Sequence, residues 1–168
     1  MGQVLTSTVA ITVVERQARR HNTVNPYLTV KDVPALISFI TATFDGVITE
    51  QIQQEDGQPA HTEIRIGDSV LMVGGPQVDA PLPAHAEVRP GTFYVYVADV
   101  DATYRAAMQN GASSYQSPDN RFYGDRVAAV VDGNDNVWWI ATKLVTLNEG
   151  QIQQRATREW KEHPHGRD

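Results

Sequence analysis

The spacing of apolar residues along this chain changes from alternating to helical and back, in the same order, twice. Pro26 to Val30 reads as a strand, and Asp32 follows at an N-cap position with Pro34 in the first turn, where a missing N–H costs nothing. Val33, Leu36, Ile37, Ile40 and Phe44 then keep i, i+3, i+4, i+7 spacing, which predicts a helix with Asp45-Gly46 as its left-handed stop. Val47 to Gln53 is a predicted strand and Asp56-Gly57 a hairpin turn. In the strand Ala60 to Ile66, Thr62, Ile64 and Ile66 alternate with His61, Glu63 and Arg65. After a turn at Gly67-Asp68, Ser69 to Val73 closes a set of four strands and one helix.

Beyond a stretch from Gly74 to Gly91 that holds Pro76, Pro81, Pro83 and Pro90, the set restarts. Thr92 to Val97 is a strand, Asp99 a cap, and Val100, Tyr104, Ala107 and Met108 the buried stripe of a helix stopped at Gly111. Ser113 to Gln116, Arg121 to Val131 and Val137 to Ala141 are the remaining strands, with Asp132 to Asn136 as a hairpin tip. Val30-Lys31-Asp32-Val33 recurs as Val97-Ala98-Asp99-Val100 (97 minus 30 is 67), and Val70-Leu71-Met72-Val73 is echoed at the same offset by Val137-Trp138-Trp139-Ile140. A fixed offset of this kind is the mark of a duplicated supersecondary unit. The expectation is an α+β protein of two tandem βαβββ units, about 25–74 and 92–145, joined by a linker over 75–91. Residues 1–24 read as an N-terminal arm, and 146–168 as a C-terminal helix and tail in which Ile152, Ala156 and Trp160 recur every four residues.

Composition narrows the partners more than the fold. The 168 residues carry a formal net charge of -6 and no basic block in the body, which argues against nucleic acid or an anionic membrane as partner. The absence of cysteine removes disulfides, thiolate nucleophiles and thiolate metal sites and fits a reducing compartment. The apolar stretch Val9 to Val14 is too short to span a bilayer and has no basic residue before it, so neither a membrane span nor a signal peptide is expected, and the default location is cytoplasmic. No phosphate-binding glycine loop, nucleophile elbow or dinucleotide fingerprint occurs.

The duplicated unit with these turns resembles the glyoxalase, bleomycin-resistance and extradiol-dioxygenase superfamily, the vicinal oxygen chelate fold, over roughly residues 25 to 145. Asn25-Pro26-Tyr27-Leu28, His61-Thr62-Glu63-Ile64-Arg65-Ile66-Gly67-Asp68, Tyr94-Val95-Tyr96-Val97-Ala98-Asp99-Val100-Asp101 and Gly124-Asp125-Arg126 resemble its demethylubiquinone methyltransferase-like branch. That branch has Asp-Pro-Phe-Gly at the hairpin tip where this chain has Asp132-Gly133-Asn134-Asp135. The resemblance implies a divalent metal held by residues from the first and last strands of each unit. Carried across, those positions are Asn25, Met72, Thr92 and Trp139, again 67 apart (92 minus 25, 139 minus 72). Methionine and tryptophan do not ligate a hard or borderline metal. The expectation is therefore no cofactor, with a divalent metal admissible only through a different site at His61. A homodimer is implied by the resemblance alone.

Alternation from these positions turns Tyr27, Tyr94 and Tyr96 toward the same side as Met72 and Trp139, while Leu28, Val30, Phe93, Val95 and Val97 face the helices. Tyr27, Met72, Tyr94, Tyr96 and Trp139 are thus the expected ligand-binding set, lining a cavity suited to a flat or cationic organic molecule, or else filling a small core. His61 and Glu63 share a strand face and can serve as an acid/base pair or as a solvated surface. Arg126 can clamp an anionic substrate or pin the loop from Ser117 to Tyr123. Three functions stay open: a binding protein of the resistance or sequestration kind that has lost the family metal, a lyase, isomerase or dioxygenase working through His61, Glu63 and Arg126, and a protein that uses the fold only for interactions, with the terminal helix around Trp160 as the contact. His21 falls in the arm, where exposure is expected.

Overall fold

The computed structural model describes residues 21–76 and 88–162; the arm up to residue 20, most of the linker and the end of the tail lie outside the described residues. In chain order the elements are β1 (Tyr27–Thr29), α1 (Val33–Phe44), β2 (Val47–Gln53), β3 (Pro59–Ile66), β4 (Ser69–Gly74), β5 (Thr92–Tyr96), α2 (Val100–Gln109), β6 (Ser113–Asn120), β7 (Asp125–Val131), β8 (Val137–Lys143) and α3 (Glu149–Glu162). They form two compact units, the first up to Arg89 and the second from Pro90, except that Ala42–Phe44 group with the second.

Each unit holds one mixed four-stranded sheet, ordered β1-β4-β3-β2 in the first and β5-β8-β7-β6 in the second. In both, the outer first strand runs parallel to the last and the other pairs are antiparallel. The register reproduces the offset read from the sequence: Tyr27 pairs with Met72 as Tyr94 pairs with Trp139, and Leu28 with Val73 as Val95 with Ile140. The fold is therefore α+β, two tandem βαβββ units.

Local chemistry explains the helix ends. Asp32 Oδ1 accepts a hydrogen bond from Ala35 N at 2.9 Å, and Asp99 Oδ1 from Ala102 N at 3.0 Å, each satisfying a donor the first turn leaves orphaned. At the end of α1 the left-handed residue is Asp45 itself (φ 53°). Gly46 is needed for space, since a Cβ there would meet Ile40 Cγ2 at 2.7 Å and Ile64 Cγ2 at 3.0 Å. Asn148 and Gln151 cap α3 reciprocally, each side-chain oxygen accepting from the other's backbone N–H at 2.9 Å.

The cores are the alternating apolar positions. Leu28, Val30, Leu36, Ile40, Ile64 and Val73 are buried in the first unit, and Val100, Ala107, Ala128, Val130, Trp138 and Ile140 in the second, where α2 lies against β6, β7 and β8. Trp138 carries Phe93 at 4.6 Å and Phe44 at 5.0 Å between ring centroids.

Three expectations are corrected. Met108 is 38% exposed and not part of the buried stripe of α2, because Ala107, one position earlier, faces the sheet. The strand predicted from Arg121 to Val131 is broken: β6 runs on to Asn120, and Arg121–Gly124 is a turn in which Gly124 N donates to Arg121 O at 3.0 Å. Gly124 sits at φ 95°, and a Cβ there would come within 2.5 Å of Val145 O, so only glycine serves. The stripe on α3 is covered at Ala156 and open at Trp160, which is 61% exposed.

Candidate functional site

In the first unit, register lines up Tyr27, Met72, Glu63 and Glu50 on neighbouring strands, through the pairs Tyr27 with Met72, Met72 with Glu63 and Glu63 with Glu50. Directly paired residues share a sheet face, and His61, two residues from Glu63, joins them. Glu63 is only 6% exposed. Its Oε1 lies 2.8 Å from His21 Nε2, a hydrogen bond that ties the chain just before β1 onto β3. His21 is thus engaged, against the expectation of exposure; nothing in its neighbouring residues signals a partner 42 residues away. His61 Nε2 is 3.8 Å from the same oxygen, beyond hydrogen-bond reach, so His61 and Glu63 do not form a bonded acid/base pair here. The His61 ring instead stacks on Tyr27 at 5.7 Å with 25° between planes. Gly74 makes room for that stack, since a Cβ there would sit 2.5 Å from Tyr27 Oη. Burial pushes the Tyr27 hydroxyl above its ordinary pKa.

In the second unit the corresponding face is aromatic. Tyr94 pairs with Trp139 and Tyr96 with Ala141, and the Tyr94 and Tyr96 rings lie 5.5 Å apart. Tyr115 meets Trp139 edge-on at 5.9 Å, and Tyr123 Oη lies 3.4 Å from Tyr94 Oη. Tyr94, Tyr96 and Tyr115 remain 46%, 60% and 64% exposed. Beneath them Asp125 is buried, one carboxylate oxygen accepting from Tyr96 Oη at 2.9 Å and the other held by Lys143 Nζ at 2.5 Å. The hydrogen bond to Asp125 pushes the Tyr96 pKa up, and the same carboxylate raises that of Lys143. Tyr94 is raised too, first by burial and then by its contact with Tyr123. Alternation placed Tyr94, Tyr96 and Trp139 together, and the register does pair Tyr94 with Trp139; Tyr115, Tyr123, Asp125 and Lys143, which the sequence reading did not name as site residues, lie in contact with them. The Asp125 to Lys143 pair becomes visible only once β7 and β8 are in register.

Arg126 points the other way. Its fork is closed on Asp101 of α2, Nε to Oδ2 at 2.7 Å and Nη2 to Oδ1 at 2.8 Å, and Nη1 donates to Asn120 Oδ1 at 3.1 Å. The guanidinium lowers the Asp101 pKa. Arg126 therefore pins α2 and the end of β6 and offers no clamp for a substrate, as alternation requires once Asp125 faces the tyrosines.

The four family metal positions do not fit a metal. The Asn25 side chain is occupied by a local turn, accepting from Asn22 N at 3.0 Å and donating to Asn22 O at 2.7 Å. Met72 and Trp139 offer no suitable donor, and Thr92 has only a hydroxyl.

Comparison with known proteins agrees with this architecture. The model of the Glyoxalase/Bleomycin resistance protein/Dioxygenase superfamily matches residues 20–140, and the chain belongs to that superfamily. The match is to the superfamily and does not reach the methyltransferase-like branch. An uncharacterized protein of Mycobacterium bovis is 28% identical over 134 residues, covering 77% of this chain and 88% of that protein. Among solved structures, TioX from a Micromonospora species superposes with a TM-score of 0.63 at 19% identity, covering 73% of this chain and 99% of TioX. Lactoylglutathione lyase from Agrobacterium tumefaciens does so with a TM-score of 0.55 at 19% identity, covering 72% and 92%. Likeness at these identities speaks for the fold and not for a reaction.

Proposed function

We propose that this superfamily member binds a small flat or cationic organic molecule on its aromatic sheet face without the family metal, as a sequestering or resistance protein does. The observation that carries this is the row of Tyr94, Tyr96, Tyr115 and Trp139 on one face of the second sheet, with three of the rings about half exposed or more. Exposed rings gathered in one place are a recognition surface more often than an accident. Here buried Asp125, itself paired with Lys143, fixes the Tyr96 hydroxyl, so the ring is held in place before a ligand arrives. Each well-made ring contact contributes about 0.5–1.5 kcal/mol beyond burial of area.

The test is an NMR titration of the 15N-labelled protein with 1-naphthalenemethanol, a flat neutral probe. Saturable shifts on β5 and β8 are expected, with Tyr94→Ala or Tyr96→Ala weakening binding by about two- to tenfold. Absence of saturable shifts there, or affinities that both substitutions leave unchanged, would overturn the reading.

A further inference from the structure

Charge on the aromatic face of the second unit is layered. Asp125 is 1% exposed, whereas its partner Lys143 is 48% exposed, so the ion pair keeps its carboxylate inside and sets its ammonium at the surface. The fold does not demand this pair. At the repeat offset of 67 the place of Lys143 is Pro76 in the first unit (143 minus 67), which carries no charge. Lys143 Nζ also lies 5.8 Å from the centroid of the Tyr96 ring, so the protein's own ammonium already takes the cation-attracting place at that ring.

Hydrogen-bonding capacity on this face is lopsided in the same sense. Register extends the row of Tyr94, Trp139 and Ala129 to Gln116, and the row of Tyr96, Ala141 and Val127 to Asp119. The acceptors of these rows are engaged within the protein. Asp125 serves Tyr96 and Lys143, and Gln116 Oε1 accepts from Arg121 Nη2. Asp119 Oδ1 accepts from Asn120 N at 2.8 Å, and its Oδ2 lies 3.8 Å from Arg121 Nη1. Donors, by contrast, are in surplus. An ammonium has three N–H groups, and Lys143, half-exposed, directs its charge-assisted contact to Asp125 alone. Tyr94 and Tyr123 bring two hydroxyl protons to one contact between their oxygens, and that contact uses only one of them.

We propose that the molecule held on the aromatic face is a flat aromatic carboxylate, and that Lys143 selects it. The ring of the ligand lies on Tyr94, Tyr96 and Trp139. Its carboxylate accepts from Lys143 Nζ and from the hydroxyl proton left over by the pair of Tyr94 and Tyr123. Asp125 holds the ammonium in place from below, while a cationic ligand would meet Lys143 as a like charge and find the neighbouring acceptors engaged. This inference rests on the aromatic-face reading and narrows it to one charge class.

The experiment compares three probes of nearly one shape, 1-naphthoate, 1-naphthalenemethanol and 1-naphthylmethylammonium, by NMR titration of the full chain. The wild type is expected to bind the naphthoate about fivefold or more tightly than the alcohol, and the ammonium no better than the alcohol. Raising salt from about 0.01 M to about 1 M should weaken the naphthoate and leave the alcohol almost unchanged. In Lys143→Gln, which keeps a donor for Asp125 without the charge, the ratio of naphthoate to alcohol should fall to about one. Should that variant not fold, the double substitution Lys143→Met with Asp125→Asn takes its place, since it removes both charges and leaves Tyr96 an acceptor. A naphthoate preference that survives the substitution, a wild type that prefers the alcohol or the ammonium, or an equal loss for naphthoate and alcohol in the variant overturns the proposal; the last outcome would mean that the pair only positions Tyr96. Failure of the aromatic-face reading itself shows differently, as no saturable shifts on β5 and β8 with the alcohol or the naphthoate, and it takes this proposal with it.

Discussion

Replacing Asp132 by Asn should cost far more than one atom suggests. Asp132 is buried at the tip between β7 and β8, where Oδ1 accepts from Asn134 N at 2.8 Å, Asn136 N at 3.0 Å and Asn136 Nδ2 at 3.2 Å. Oδ2 accepts from Asn136 Nδ2 at 2.9 Å and from Trp138 Nε1 at 2.8 Å. In Asp132→Asn the remaining oxygen can keep the two backbone donors, but the new NH2 faces the Asn136 amide and the Trp138 indole, both donors. Two charge-assisted bonds are lost at about 1.5–3 kcal/mol each, with partial relief by reorientation, so the expected loss is about 2–5 kcal/mol. At about 2–4 °C per kcal/mol for a chain of this size, the melting temperature should fall by roughly 5–20 °C. Urea unfolding followed by tryptophan fluorescence and far-ultraviolet circular dichroism measures the loss. A double-mutant cycle with Trp138→Phe isolates the indole bond, with an expected coupling of about 1 kcal/mol or more. A loss below about 0.5 kcal/mol, or strict additivity in the cycle, would show that the carboxylate does not organise this tip. The tip turns on its own residues: Asp132 does the capping, and Asp135 supplies the positive φ of 67°.

Two further outcomes follow from the geometry. Gly124→Ala combines a left-handed φ with a backbone oxygen in the way of the new methyl, so it should destabilise by about 2 kcal/mol or more; an unchanged urea midpoint would mean the turn adjusts freely. At alkaline pH the folded state keeps protons on Tyr94, Tyr96 and Lys143 that the unfolded chain releases near pH ~10. Their stabilisation is therefore complete below that pH and fades as pH rises through the higher folded values. Urea midpoints should fall between about pH 9 and about pH 11, less steeply in Tyr96→Phe. A flat profile, or all six tyrosines titrating together by phenolate absorbance, would contradict the Asp125 anchor.

What could be read along the chain was local or periodic. Asp32 and Asp99 cap helices because a carboxylate finds donors three residues on, whatever lies elsewhere. The offset of 67 survives as cross-strand register because both copies must bury the same alternating faces, and that alternation placed Tyr27, Tyr94, Tyr96, Met72 and Trp139 away from the helix-facing core. The broken strand at Arg121–Gly124 escaped because β-branched and aromatic neighbours masked one glycine whose conformation depends on Val145, twenty-one residues later (145 minus 124). Everything that gives the two faces their chemistry depended on register and distance. The bulge between Ile48 and Glu50 sets Glu50 against Glu63, His21 reaches across to that carboxylate, Lys143 meets Asp125, and Asp101 takes Arg126 away from any ligand. Period and propensity act over a few residues and determined the two units. Which charges meet is a matter of strand pairing and of side chains far apart in the chain, and only the tertiary structure decided it.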